Sequence, residues 1–390
     1  MRVCGIIAEY DPLHAGHAWH LQQARQLSAA DYVVCVLSAA FSQRGMPHLF
    51  STWDRAQMAL ESGADLVIAM PFSFGCAQAN RFARGGVGIL ASLGVVTHLS
   101  FGAEDGDLNR LLRTADAIQA LDSGVDARLH SALSEGLPLA AARARALAAR
   151  YKESELSPLD QPNNILALCY LQALAQLHSN MQPLVVQRSG SYHSTALQPL
   201  PSAGAVRAAL LRGDWQGLNA SVPSASREVI DRAVSGGLLH RPGALDQVLL
   251  HHLLTMEEQA LAETAEISEG LEHRILQSVR NARSREDLLQ LCKTRRYPYT
   301  RLSRALSHAL LGQKAQTLPE QPAYARLIGM RRSAAPLLRA IKRSGYPLIS
   351  RSARHGGEDL CRDMRAEELW VLGAGQPVEC VWRQAAVILE

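Results

Sequence analysis

The 390-residue sequence predicts an α/β protein, with a parallel sheet in its N-terminal half and mainly α-helix in its C-terminal half. Three observations predict it. Over the first two hundred residues, short apolar runs rich in β-branched residues alternate with helix-length stretches, the pattern of βαβ units. From about residue 215 every strong segment has helical periodicity. A composition of 47% hydrophobic and 19% charged residues supplies enough apolar material for two or three cores and excludes wholesale disorder. The expected division is an α/β domain over 1–214 and a helical, basic domain with an acidic tail over 215–390.

Taken in order, VCGIIA (3–8) and YVVCVLS (32–38) are predicted strands, each followed by a helix, over 17–30 and 53–62. Further strands are predicted at 66–70, 98–101 and 183–187, separated by helical segments such as 84–93. Residues 127–150 and 163–178 carry helical periodicity, and LPSAGAVRAAL (200–210) closes the first half. Helices are then predicted at 226–237, 245–266, 271–281, 285–292 and 300–312, with no strand among them. Beyond 356 the chain turns acidic, and VECVWRQAAVIL (378–389) is expected to add a strand or a helix. There is no internal repeat.

No apolar run reaches the ~18–20 residues of a membrane helix, and Glu9 and Asp11 arrive too early for a signal-peptide core. The seven cysteines include no CxxC pair, which predicts neither a zinc site nor a disulfide framework and favours a reducing cytoplasm. The formal net charge of +4 hides an uneven distribution. Residues 271–355 hold 18 Lys/Arg against 4 Asp/Glu, a local charge of +14 that leaves −10 for the remainder. Such a basic segment fits a phosphate-backbone partner, the alternative being a solvated arginine-rich surface.

The most informative stretch is GIIAEYDPLHAGHAWHL (5–21). A strand ends at Ala8, a turn containing Pro12 follows, and His14-Ala15-Gly16-His17 opens a helix. Gly16 is expected to let a ligand phosphate approach the backbone, the helix start to attract anions, and the two imidazoles to stabilise charge on phosphoryl oxygens. Zinc ligation, or a role as satisfied surface histidines, are the alternatives.

HxGH in this position resembles the HIGH-type nucleotidylyltransferase and class I aminoacyl-tRNA synthetase superfamily. GIIAEYDPLHAGH resembles the opening of the tRNA(Met) cytidine acetate ligase family. FSQRG (41–45), WDRAQMALESGADLVIAMP (53–71), FARGGVGIL (82–90), LSFGAEDGD (99–107), QPNNILALCYL (161–171), SYHS (191–194) and TRRYPYTRLSRALSHALLG (294–312) extend the likeness in order, weakening after about 315. The resemblance implies a Rossmann-like N-terminal domain and a helical C-terminal one. It also implies ATP, with Mg²⁺, activating acetate as acetyl-adenylate, and transfer of the acetyl group to the wobble cytidine of elongator tRNA(Met). By the same resemblance the ATP loop comprises Ile7, Ala8, Glu9, Tyr10, Asp11, Pro12, Leu13, His14, Ala15, Gly16, His17, Ala18, Trp19 and His20. His14 and His17 would be catalytic, and Gly102, Asn163, Asn164 and Arg188 would be further nucleotide contacts.

These positions also have physical readings. Gly102 lies at a strand end, where open α/β sheets bind ligands. One of Asn163 and Asn164, following Pro162, is expected to cap a helix. Arg188 could clamp a phosphate or form a surface ion pair. Gln43 and Arg44 follow the second strand and could reach the acyl or phosphate end. The chain departs from the family pattern at Asp11 (usually Asn), Leu13 (usually Phe), Ala39, Ala40, Ala69, Met70, Gly204 and Ala205. Asp11 is expected to repel a triphosphate unless it meets a cation or ribose hydroxyl.

For tRNA, Lys293, Arg295, Arg296, Arg301 and Arg304 fall within twelve residues free of acids, with Tyr297 and Tyr299 available to stack on bases. Arg331, Arg332, Lys342, Arg343, Arg351 and Arg354 would extend that surface. The leading expectation is an ATP-dependent tRNA-modifying ligase. Its rivals are a small-molecule adenylyltransferase and a non-catalytic RNA-binding homologue.

Overall fold

The computed structural model describes all residues except 124–125, 138, 189–201, 215–217, 219–220 and 353–355, so the SYHS motif and Arg354 lie outside it. Its strands are β1 (Val3–Ala8), β2 (Tyr32–Ser38), β3 (Leu66–Met70), β4 (His98–Ala103), β5 (Gln182–Gln187), β6 (Ala325–Arg331), β7 (Leu348–Ile349) and β8 (Val387–Leu389). They form one sheet in the order β5-β4-β1-β2-β3-β6-β7, with β8 paired to β6. The first five strands are mutually parallel, with Val3 opposite Tyr32, Gly5 opposite Leu99 and Gly102 opposite Val186. β1, β2 and β3 read as continuous apolar runs because both faces are covered, whereas β5 at the sheet edge is only partly buried. Along β1, Val3 and Ile7 enter one core with Val34, Ile68, Phe82 and Leu90. Cys4 and Ile6 enter the opposite core with Val33, Cys35, Leu21 and Met58.

The helices of the first half are α1 (Ala15–Ser28), α2 (Thr52–Glu61), α3 (Phe72–Gly75), α4 (Ala79–Ser92), α5 (Leu108–Ser123), α6 (Ala127–Ser134), α7 (Leu139–Ala148), α8 (Pro162–Gln176) and α9 (Ala203–Arg212). The helix expected over 127–150 is two, because the chain turns at Gly136 with φ +83°. The second half contributes α10 (Ser224–Ser235), α11 (Asp246–Thr255), α12 (Glu258–Ala262), α13 (Leu271–Ser278), α14 (Arg285–Cys292), α15 (Tyr299–Leu310), α16 (Ala335–Arg343) and α17 (Glu358–Gly373). Helices α11–α15 share their own core around Leu253, Ile275, Leu289 and Leu306.

Strands do return after residue 215. β6 pairs antiparallel with β3, and β7 and β8 pair with β6 in parallel. Burial of a charge hides this strand in the sequence. Arg326 stands inside β6 with only 3% of its side chain exposed, 2.5 Å from Glu367 of α17, which also accepts from the Thr52 hydroxyl at 2.9 Å. A buried pair of this kind is costly to break, about 3–5 kcal/mol, because the surviving partner is left as an uncompensated charge. The acidic tail supplies both a 3₁₀ turn at Val378–Arg383 and β8.

With β1 central, β2 on one side and β4 on the other, the connections diverge at the β1/β4 boundary. The crevice beyond the carboxyl ends of these two strands is where an open sheet of this type receives a ligand.

Candidate functional site

The loop from Ala8 to α1 runs along that crevice. His14 is the N-cap of α1: its Nδ1 accepts from the Gly16 amide at 3.1 Å, while His17 Nδ1 faces the His14 amide at 3.4 Å. This reciprocal cap stacks the two rings at a 3.7 Å centroid separation and 23° between planes. It also bears on two expectations for this turn. A Cβ on residue 16 would come within 3.0 Å of His14 Cε1, so Gly16 makes room for the imidazole. The cap further occupies the Gly16 and His14 amides, which are therefore not free anion donors.

Both rings are neutral. Burial, then the Arg188 and Arg207 charges, push His14 down to about 3. Burial, His14 and Arg188 hold His17 well below the usual histidine range, and burial and Arg188 push His20 down to about 4. A neutral imidazole whose Nδ1 accepts a hydrogen bond carries its proton on Nε2. The two stacked rings thus present paired Nε2–H donors beside two guanidinium groups. His20 is tied to Ser100 at 3.0 Å. Arg188 lies over Gly102, where a Cβ would stand 3.2 Å from its Cγ and Cδ, and its amide donates to the Ala103 carbonyl at 2.8 Å. Arg207 arrives from α9, whose N-cap is Ser202.

The remaining loop residues divide by direction. Leu13 and Tyr10 are buried in the sheet core, Tyr10 with φ +52°, and Ile7 is buried on the opposite face. Ala8, Glu9, Ala15, Ala18 and Trp19 are at least partly accessible, and Asp11–Pro12 is a cis peptide.

Asp11 is only 5% exposed and does not face an open crevice. Its carboxylate accepts from the Leu49 and Phe50 amides at 2.9 and 3.0 Å and lies 3.3 Å from His48 Nδ1. Burial alone would raise its pKa, but the His48 hydrogen bond and the Arg207 and Arg55 charges hold it well below the usual carboxylate range. The repulsion expected from Asp11 is therefore answered inside the protein. Arg207 adds a 2.6 Å hydrogen bond to the Asp11 carbonyl. Neither Ala39 nor Ala40 has a positive φ, so the glycine lost from that turn is not needed for its backbone.

Asn163 and Asn164 both lie in the first turn of α8, whose N-cap is Gln161, so neither is the cap. The Glu104 carboxylate does the capping, accepting from the Asn163 side chain at 2.6 Å and the Asn164 amide at 2.8 Å. Asn164 is buried and accepts from the Asp105 amide at 2.9 Å, fastening the loop after β4.

Two residues of this region escaped the sequence reading. Arg55 is fully buried and donates to the carbonyls of Glu9 (2.8 Å), Ser38 (2.9 Å), Phe50 (3.2 Å) and Ala39, joining the loops after β1 and β2. His48 bridges Asp11 to the Ser38 hydroxyl, 2.9 Å from its Nε2. The signal for Arg55 was present: it falls on the apolar stripe of α2 with Thr52, Ala56 and Ala59.

The basic segment is less open than its sequence. Arg304 is ion-paired to Glu266 at 3.0 Å with 11% of its side chain exposed. Arg296 and Arg301 both lie 3.3 Å from Glu269. The Tyr297 ring is buried in the helical core and its hydroxyl donates to the Glu269 carbonyl, while the Tyr299 hydroxyl donates to Glu286, both at 2.6 Å. Tyr297 is thus a core residue, Tyr299 keeps a partly accessible ring, and acids distant in sequence supply the arginines' partners. Lys293, Arg295 and Arg296 are exposed, as are Arg332, Lys342, Arg343 and Arg351, whereas Arg331 donates to the Leu60 and Ala64 carbonyls.

No helix among the described residues is long and apolar enough to cross a membrane. The profile of the HIGH Nucleotidyl Transferase family matches residues 1–379. The tRNA(Met) cytidine acetate ligase of Syntrophomonas wolfei is 36% identical over 90% of this chain and 88% of its own length. That of Bacillus subtilis is 33% identical over 97% and 94%. Crystal structures of Thermotoga maritima TmcAL, apo and bound with alpha-thio ATP, superpose with TM-scores of 0.91 and 0.90 at 25% identity over the full length of both chains.

Proposed function

This chain belongs to the tRNA(Met) cytidine acetate ligase family of HIGH nucleotidyl transferases, and from that membership we infer that it is an ATP-dependent ligase that acetylates a tRNA cytidine. Acetate attacks the α-phosphorus of ATP and pyrophosphate leaves; the exocyclic amine of the wobble cytidine of elongator tRNA(Met) then attacks the acetyl carbonyl of the mixed anhydride, forming the amide as AMP leaves and the amine gives up a proton. The observation that carries this reading is the stacked pair His14–His17 at the start of α1, kept neutral by burial and by the charges of Arg188 and Arg207. Developing charge on the phosphoryl oxygens meets two imidazole N–H donors and two guanidinium groups that need no reorganisation. Proximity of acetate to ATP supplies the other large contribution. No covalent enzyme intermediate is required, consistent with buried cysteines such as Cys4, Cys35 and Cys76 whose thiols burial pushes up to about 11, 12 and 12.

The residues do not form a metal cage. Among the described residues no group of three or more His, Cys, Asp or Glu could hold an ion, and the Asp11 carboxylate is committed to backbone amides. Mg²⁺ is proposed only as the companion of the nucleotide's own phosphates, with no step assigned to it. The nucleotide contacts proposed are the loop from Ile7 to His20 with Gly102, Asn163, Asn164 and Arg188. In the proposed division of labour, residues 1–214 carry ATP and the exposed cations Lys293, Arg295 and Arg296 of the second half meet tRNA in the cytoplasm. Incubation with ATP, labelled acetate and elongator tRNA(Met), followed by nucleoside mass spectrometry, tests the proposal. N4-acetylcytidine at the wobble position supports it, and unmodified tRNA with intact ATP refutes it.

A further inference from the structure

FSQRG folds into a closed turn at the carboxyl edge of β2. The Gly45 amide donates to the Ser42 carbonyl at 2.9 Å, the Ser42 amide donates to the Met46 carbonyl at 2.8 Å, and Phe41 bridges Pro47. Gln43 and Arg44 stand at its tip. The turn is fastened from two directions. From the site loop, the Glu9 carboxylate accepts the Gln43 amide at 2.7 Å. From the helical half, Arg285 Nη2 and the Ser307 hydroxyl both donate to the Gly45 carbonyl at 2.6 Å. Residue 45 must be glycine: its φ is +82°, and a Cβ would stand 2.5 Å from the Arg304 backbone nitrogen.

Arg285 is a costly way to make this contact. Its side chain is buried, its other acceptors are the Ser303 carbonyl (2.6 Å), Ser303 hydroxyl (3.1 Å) and Ser307 hydroxyl (3.0 Å), and its buried Nε has no partner among the described residues. A buried guanidinium held by neutral groups is poor glue, since an apolar side chain of similar volume often serves stability as well. What it adds is direction, because a charged donor makes a shorter and more strictly oriented hydrogen bond to its carbonyl than a neutral one. Arg285 also opens α14, whose end leads directly into Lys293, Arg295 and Arg296. The loop at the nucleotide site and the exposed cations therefore hang on one helix.

We infer that Arg285 is a positioning residue for the adenylation step, acting from the helical half through the Gly45 carbonyl to hold Gln43 and Arg44 beside Glu9 of the site loop. The inference rests on the ATP-dependent reading above. The test uses the full chain and three variants, Arg285→Met, Arg285→Lys and Ser307→Ala. ATP affinity, melting temperature and acetate-dependent ATP–pyrophosphate exchange are measured without tRNA. Arg285→Met is expected to lower kcat/KM for acetate about tenfold or more while ATP affinity is unchanged, with partial rescue in Arg285→Lys. Ser307→Ala, which removes one donor and keeps the buried charge, is expected to move in the same direction by less. Exchange kinetics equal to wild type in Arg285→Met overturn the inference, as does a parallel loss of ATP binding and exchange. Should Arg285→Met fail to fold, unchanged acetate kinetics in Ser307→Ala overturn it. Wild-type chain that binds ATP but shows no acetate-dependent exchange refutes the ligase reading itself, and this inference with it.

Discussion

The His14 and His17 rings are stacked face to face at 3.7 Å, and the same pairing closes the N-terminus of α1 through two reciprocal hydrogen bonds. One arrangement therefore serves two ends. It terminates the helix, and it fixes the tautomers that leave both Nε2–H groups as donors. The two ends can be separated by substitution, because Asn caps a helix about as well as any residue whereas Ala does not.

His17→Ala is expected to abolish adenylate formation while leaving tRNA affinity nearly intact. ATP–pyrophosphate exchange and a tRNA titration check this, and an equal loss of both would mark the residue as structural. His14→Asn should keep the melting temperature near wild type yet lose activity, whereas His14→Ala should also lose about 1 kcal/mol of stability.

Asp11→Asn removes an acceptor from a carboxylate that holds the Leu49 and Phe50 amides. Stability should fall by roughly 1–3 kcal/mol, read from denaturant unfolding. ATP affinity should not rise, because the carboxylate charge is already neutralised from within. A large gain in ATP affinity would show that Asp11 repels the triphosphate after all.

Several buried histidines make the fold sensitive to acid. His14 titrates at about 3, and His20, His240 and His308 at about 4, each lowered first by burial, against 6.5 in the unfolded chain. Between about pH 6.5 and 4 the unfolded state binds more protons, so stability falls as pH falls. Each such group contributes up to about 1.4 kcal/mol per pH unit. Melting temperature should be steady above pH 7 and drop steeply below pH 6; a flat profile down to pH 4.5 would contradict the neutral-imidazole assignment.

Arginines in the basic segment should respond differently. Replacing Arg295 and Arg296 is expected to weaken tRNA binding and reduce its salt dependence by about one unit of slope for each phosphate no longer neutralised. Arg304→Ala should instead lower the melting temperature, because it breaks a shielded pair with Glu266. Binding isotherms at several salt concentrations separate the two, and an unchanged slope in the Arg295/Arg296 variant would remove that segment from the interface.

The parallel core was legible in the sequence because β1 to β3 are buried on both faces and so read as plain apolar runs. The site loop was legible through the spacing of His14 and His17. What could not be read were long-range polar partners. Glu367 neutralises Arg326 from 41 residues away and allows a strand where the pattern shows a basic segment. Glu266 and Glu269 do the same for Arg304 and Arg301. His48 and the amides of Leu49 and Phe50 absorb Asp11, which in the one-dimensional pattern stands beside a phosphate loop. Periodicity reports which face is apolar, and it carries no record of which distant group satisfies a buried charge.

A crystal structure of this chain with a non-hydrolysable ATP analogue probes the role of the paired imidazoles without intermediary. The triphosphate should lie in the crevice past β1 and β4, within hydrogen-bond distance of the Nε2 atoms of His14 and His17, with the Arg188 and Arg207 guanidinium groups alongside. A nucleotide bound elsewhere, or phosphates that leave both imidazoles untouched, would refute that role.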